Sequence, residues 1–152
     1  MAYPIKRTPI ATWRALVDEA AKQTGYHCDD YVEHYLVLTL EHFTTDNHLS
    51  STIVALDFLL ALDAMGREGG GQIRKVGDEC LLLAGLFPER AAHKHVPVEY
   101  FINIGQYAYQ LLTKAHFKML YDPELFAKLS NEFPNLIDLL QTMRKIPKKP
   151  LQ

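Results

Sequence analysis

Apolar residues recur every three or four positions along this 152-residue sequence, and nowhere do they alternate with period two over the length of a strand. That spacing lines up one face of a helix and scatters side chains over both faces of a strand. No hairpin dipeptide separates two alternating runs, and no fixed period repeats. The sequence therefore reads as all-α: an irregular bundle of six or seven helices in one domain over residues 1–146, with a flexible tail at 147–152.

Apolar residues make up 48% of the chain and charged residues 22%, the balance of a globular protein. A chain of this length buries roughly 70% of its unfolded surface and needs no metal or disulfide to fold. Cys28 and Cys80 stand far apart and in no CxxC pattern, so they read as reduced thiols of a cytoplasmic protein. Residues 1–7 hold no apolar signal core. The longest apolar run, 53–65, contains Asp57 and Asp63. It is shorter than the roughly 20 residues of a membrane span and reads as a buried helix, so no membrane partner is expected. Sixteen basic and eighteen acidic side chains give a net charge of −2, which disfavours nucleic acid as a partner. The one basic cluster, Arg144, Lys145, Lys148 and Lys149, is short and terminal.

Local signals divide the chain. Thr8 and Pro9 suit the cap and first turn of a helix that Gly25 ends. Asp30 and Glu33 have the form of a capping box opening a helix to about Phe43, with Val32, Leu36, Thr39, Leu40 and Phe43 on its inner face. A helix over 50–65 is apolar nearly all round and is expected near the centre. Four glycines in residues 66–71 read as a flexible linker. They do not form a phosphate loop, because Gly71 is followed by Gln72, Ile73 and Arg74 and not by Lys and Ser or Thr. Helices then follow over 72–85 and 99–118, the latter also central, with Phe101, Ile104, Ala108, Leu112, Ala115 and Met119 inward. Asp122-Pro123 and Pro134 start two more.

Polar residues in apolar surroundings are the candidates for a site. Asp57 shares a side with Ile53, Leu60, Ala61 and Ala64, and Asp78 opens a strongly apolar stretch. A carboxylate in such an interface must be paired, protonated or functional. The local pairing for Asp78 is Arg74, one turn earlier, with Arg14 of the first helix as the distant one. If Glu79 faces solvent, its replacement by Gln is expected to leave stability unchanged. Tyr109 lies one turn beyond Gly105, whose presence inside a helix points to the close approach of another backbone or a ligand. Asp57, Asp78 and Tyr109 are thus the candidate ligand-binding residues.

Other groupings are weaker. Asp30, His34 and Glu41 share one helix face, but a dinuclear carboxylate site wants two Glu-x-x-His motifs and the chain has none. No metal and no cofactor are expected. His27-Cys28-Asp29 and His93-Lys94-His95 bring nucleophile, base or ligand types together without a third orienting group.

The stretch from Gly77-Asp78 through Leu81 and Gly85 to Phe87-Pro88-Glu89, followed by Tyr100 and Gly105-Gln106-Tyr107-Ala108-Tyr109, carries a resemblance. It is similar to a group of uncharacterised bacterial all-helical proteins with a G-D-x-x-L-x-x-x-G-x-F-P-E segment and then Y-x-x-x-x-G-x-x-A-Y. The resemblance covers about a fifth of the chain. It implies no activity, and implies only that these two helices form the characteristic core. The expectation is a small bacterial binding or regulatory module without catalysis, acting as a homo-oligomer or with a protein partner. The alternative is a ligand-binding or metal-dependent enzyme with a polar site between the helices carrying Asp57, Asp78 and Tyr109.

Overall fold

In a computed structural model, residues 9–46, 69–89 and 97–146 are described, those at 44–46 by backbone alone. The expected helix at 50–65 with Asp57, the pair His93 and His95, and the tail at 147–152 lie outside the described residues. The described residues form six α-helices and one 3-10 turn, with no strand among them. We number the helices α1 (Pro9–Thr24), α2 (Asp30–Asp46), α3 (Gly69–Leu86), α4 (Val98–Leu111), α5 (Pro123–Asn131) and α6 (Phe133–Lys145), with the 3-10 turn at Ala115–Phe117. The chain is all-α, one irregular helical bundle.

Helix α3 is the axis of what is described. Every residue from Val76 to Gly85 is buried. A helix apolar round its circumference has no face for water and takes the interior. Its most extensive neighbour is α4, then α6; α1 lies against α6 and α2, and α5 against α4. The helix over 72–85 thus outranks that over 99–118 in centrality, because α4 buries one face only, through Phe101, Gly105, Ala108, Tyr109 and Leu111.

Three boundaries differ from the sequence reading. Helix α3 takes in residues 69–71 of the glycine run, so these three are helix and not linker. Gly70 is buried where a Cβ would stand 2.6 Å from the Tyr121 ring and 3.2 Å from that of Phe117. Glycine lets those rings sit on the backbone. Helix α4 stops at Leu111 and not near Lys118. Its last turn tightens through i→i−3 bonds at Leu112, Thr113 and Lys114, and the backbone at Lys114 is extended. The turn carries Phe117 into the core while leaving Ala115 exposed and Met119 87% exposed, so those two are not inward residues. At α2 the cap is Asp29 and not Asp30: Asp29 Oδ1 accepts from the Val32 N–H at 2.9 Å.

Other local readings stand. Gly25 takes φ 76° and ends α1. Asp122 Oδ1 accepts from the Glu124 N–H at 3.0 Å ahead of Pro123. Leu136, Ile137, Leu139, Leu140 and Met143 of α6 are all buried.

Candidate functional site

Asp78 sits in the middle of the buried run of α3, 8% exposed, and Tyr109 of α4 is fully buried. The two meet. The Tyr109 hydroxyl donates to Asp78 Oδ1 at 2.7 Å, and the Tyr35 hydroxyl of α2 donates to the same oxygen at 2.6 Å. Distances this short suit O–H donors on an ionised acceptor. The rings enclose the carboxyl in an aromatic cluster. Tyr35 and Tyr109 pack edge-on with centroids 6.2 Å apart, and Phe126 of α5 lies 5.5 Å from Tyr35 and 5.7 Å from Tyr109. Phe133 stands 5.7 Å from Tyr109 on another side.

Two glycines make this approach possible. A Cβ at position 77 would stand 2.5 Å from Tyr109 Cε1, and one at 105 would stand 2.7 Å from Cys80 Cβ and collide with the Phe133 ring. Gly77 therefore admits the ring that holds Asp78, and Gly105 admits α3 against α4. The Gly77-Asp78 and Gly105-to-Tyr109 pieces of the sequence motif meet at one seam.

Burial dominates the electrostatics. It pushes the Asp78 carboxyl up to about 6, against the downward pull of the Tyr35 and Tyr109 hydrogen bonds and then of the Arg74 and His42 charges. Burial, and next the Asp78 charge, lifts both tyrosines well above the ordinary phenol range. They stay protonated donors at any working pH.

Neither expected cation is hydrogen-bonded to the carboxyl, though the Arg74 charge acts on it. Arg74 is exposed, and Arg14 Nη1 donates to Glu33 Oε2 at 2.9 Å. Asp78 is held instead by neutral hydroxyls. Glu79 does not face solvent: it is 3% exposed, with Lys75 Nζ 3.9 Å away one turn earlier. Tyr35 was not among the sequence candidates. The signal for it was there: it lies three residues after Val32 and four before Thr39, at the edge of the buried face of α2. A tyrosine so placed seeks a partner for its hydroxyl.

A second polar group ties down residues 25–29. The Tyr26 hydroxyl donates to Glu132, and Lys128 Nζ to Asp29 Oδ2 at 2.6 Å. Cys28 lies between these ties, partly buried. Burial, reinforced by the Glu33 charge, pushes its thiol up to about 12, while His27 beside it is exposed. A thiol so raised is no nucleophile at neutral pH, and the His27-Cys28-Asp29 triplet forms no catalytic pair. Asp30 and His34 point to solvent. Among the described residues no group of three His, Cys, Asp or Glu side chains is arranged to hold a metal ion, and no helix is long and apolar enough to cross a membrane.

The fold and its buried joint thus define an all-helical protein with a carboxylate-centred aromatic core. No family model, curated protein or solved structure matches the chain.

Proposed function

We propose that the chain is a small bacterial, cytoplasmic binding or regulatory module that performs no chemistry of its own. One observation carries this reading: Asp78 and Tyr109 hydrogen-bond to each other inside the core. A group that works on a substrate must reach it, and neither does. A few large apolar side chains are left exposed among the charged ones. Tyr31 and Leu38, seven residues apart on α2, are 77% and 43% exposed, with His34 exposed between them. That face suits a second copy of the chain or a protein partner.

The second reading is a ligand-binding or metal-dependent enzyme using Asp78 and Tyr109. It is favoured by the carboxyl raised to about 6, since shifted acids gather at functional sites. Native mass spectrometry with elemental analysis of untagged protein separates the two. The module reading expects an oligomer or a co-purifying protein, with no stoichiometric metal or small ligand, and expects Tyr31→Ser with Leu38→Ser to abolish the association. One equivalent of iron, manganese or zinc, or of a retained small molecule, moves the assignment to the enzyme.

A further inference from the structure

The three most exposed large apolar side chains among the described residues are Met119, Tyr31 and Leu120. They fall into two patches of opposite charge. The first is the outer face of α2, where Tyr31 and Leu38 stand seven residues apart. Helix α2 has four carboxylates and no lysine or arginine. Asp30 is exposed next to Tyr31, and Asp18 of α1 and Asp30 both lie within reach of Glu33, with Arg14 the cation beside it. The second patch is the turn after α4. Residues 113–120 hold Lys114, His116 and Lys118 and no acid, and these three are exposed together with Met119 and Leu120. The turn is a fixed knob. Buried Phe117 anchors it, the Phe117 N–H donates to the Lys114 carbonyl at 2.9 Å, and the Leu120 N–H donates to the Phe117 carbonyl at 3.0 Å. The acids that follow are engaged: Asp122 caps α5, and Glu124 Oε1 lies 3.6 Å from Lys128 Nζ.

We propose that copies of this chain join through these unlike patches, the turn at 114–120 of one docking on the Tyr31 and Leu38 face of α2 of another. Charge decides the pairing. Face against face sets carboxylate against carboxylate, and turn against turn sets lysine against lysine. Only turn on face brings opposite charges together around the apolar side chains. Met119 and Leu120 then cover Tyr31 and Leu38, with Lys118 and Asp30 at the rim, which is the apolar centre and polar edge of a protein interface. A knob already held by its own hydrogen bonds loses little freedom on docking. The contact is made twice in a closed twofold dimer and once per subunit in a ring. The proposal rests on the binding-module reading, whose partner it names as a second copy of the chain.

Native mass spectrometry of the full chain at one fixed concentration tests the pairing. Wild type should be an oligomer. Met119→Ser with Leu120→Ser removes the tip of the turn, Tyr31→Ser with Leu38→Ser removes the face, and each variant should be monomeric alone. Mixed in equal amounts, the two should form a heterodimer, because each supplies the patch that the other lacks. A second pair of variants tests the charges. Lys118→Glu and Asp30→Lys should each self-associate about tenfold more weakly than wild type, and their mixture should regain wild-type affinity. Should a serine pair fail to fold by circular dichroism, the charge pair decides. A monomeric wild type, an oligomer that survives Met119→Ser with Leu120→Ser, or mixtures that stay monomeric overturn the proposal. A monomer that carries another protein on Tyr31 and Leu38 also overturns it and leaves the module reading intact. Stoichiometric metal with the mixtures still restored defeats the module reading alone.

Discussion

Tyr109→Phe removes one hydroxyl and leaves the ring that fills the space beside Gly77. Its effect depends on the charge of the acceptor. A hydrogen bond to a charged group contributes about 1.5–3 kcal/mol, and one between neutral groups about 0.5–1.5 kcal/mol. Because burial raises the native carboxyl from 3.8 to about 6, the folded state holds its proton more tightly than the unfolded chain. Ionisation of Asp78 therefore costs stability. The cost is absent below 3.8, grows through the interval, and is fully present above about 6, where it amounts to roughly 3 kcal/mol. Losing a donor raises the native pKa further and enlarges that cost. The variant should lose about 2 kcal/mol at pH 7.5 and about 1 kcal/mol at pH 5. With a urea slope of about 2 kcal/mol/M, the midpoint falls by about 1 M at pH 7.5 and half that at pH 5. Urea titrations followed by helical circular dichroism at the two pH values measure both. Equal losses at both pH values, or a loss under about 0.5 kcal/mol at pH 7.5, would refute an ionised carboxylate held by this hydroxyl.

Asp78→Asn leaves no uncompensated cation behind, because its partners are neutral hydroxyls, and its amide oxygen still accepts from them. Its urea midpoint should therefore match or exceed wild type at pH 7.5 and fall below it at pH 5; a large loss at pH 7.5 would point to a buried cation partner. Gly105→Ala drives a methyl into Phe133 and Cys80, so a loss of about 1–3 kcal/mol is expected in the same assay, and an unchanged midpoint would deny the close approach of α3 and α4. Gly70→Ala should destabilise as well, since Tyr121 and Phe117 occupy that space; wild-type stability would restore the linker reading of residues 66–71. With its thiol near 12, only about one Cys28 in ten thousand is thiolate at pH 8, so native alkylation should be far slower than in urea, and equal rates would expose the thiol.

Helix existence was legible because it rests on local signals. The Asp122-Pro123 start, the Gly25 stop and the inner faces of α2 and α6 are written in neighbouring residues. What failed was set by contacts distant in sequence. The glycines at 69–71 read as a break, yet Gly70 is helical because two rings from beyond α4 pack on it. No proline or glycine marks the end of α4 at Leu111; the turn is fixed by where Phe117 is buried. The site shows the same division. Asp78 and Tyr109 stood out as polar groups on apolar faces, but the one-turn rule pointed to Arg74. The second hydroxyl comes instead from Tyr35, 43 residues away. Glu79 carries the same lesson, since its side chain is buried beside that of Asp78 and no signal in neighbouring residues marks it.

The joint at Asp78 is the centre of this account, and its carboxyl titration is the most direct test. Carbon-13 NMR of the labelled native protein follows the Asp78 side-chain carboxyl against pH, assigned by its loss in Asp78→Asn. A desolvated carboxyl clasped by Tyr35 and Tyr109 titrates at about 6, and moves higher in Tyr109→Phe. A midpoint near 3.8, unmoved by Tyr109→Phe, would mean that Asp78 is hydrated and that the buried joint does not exist.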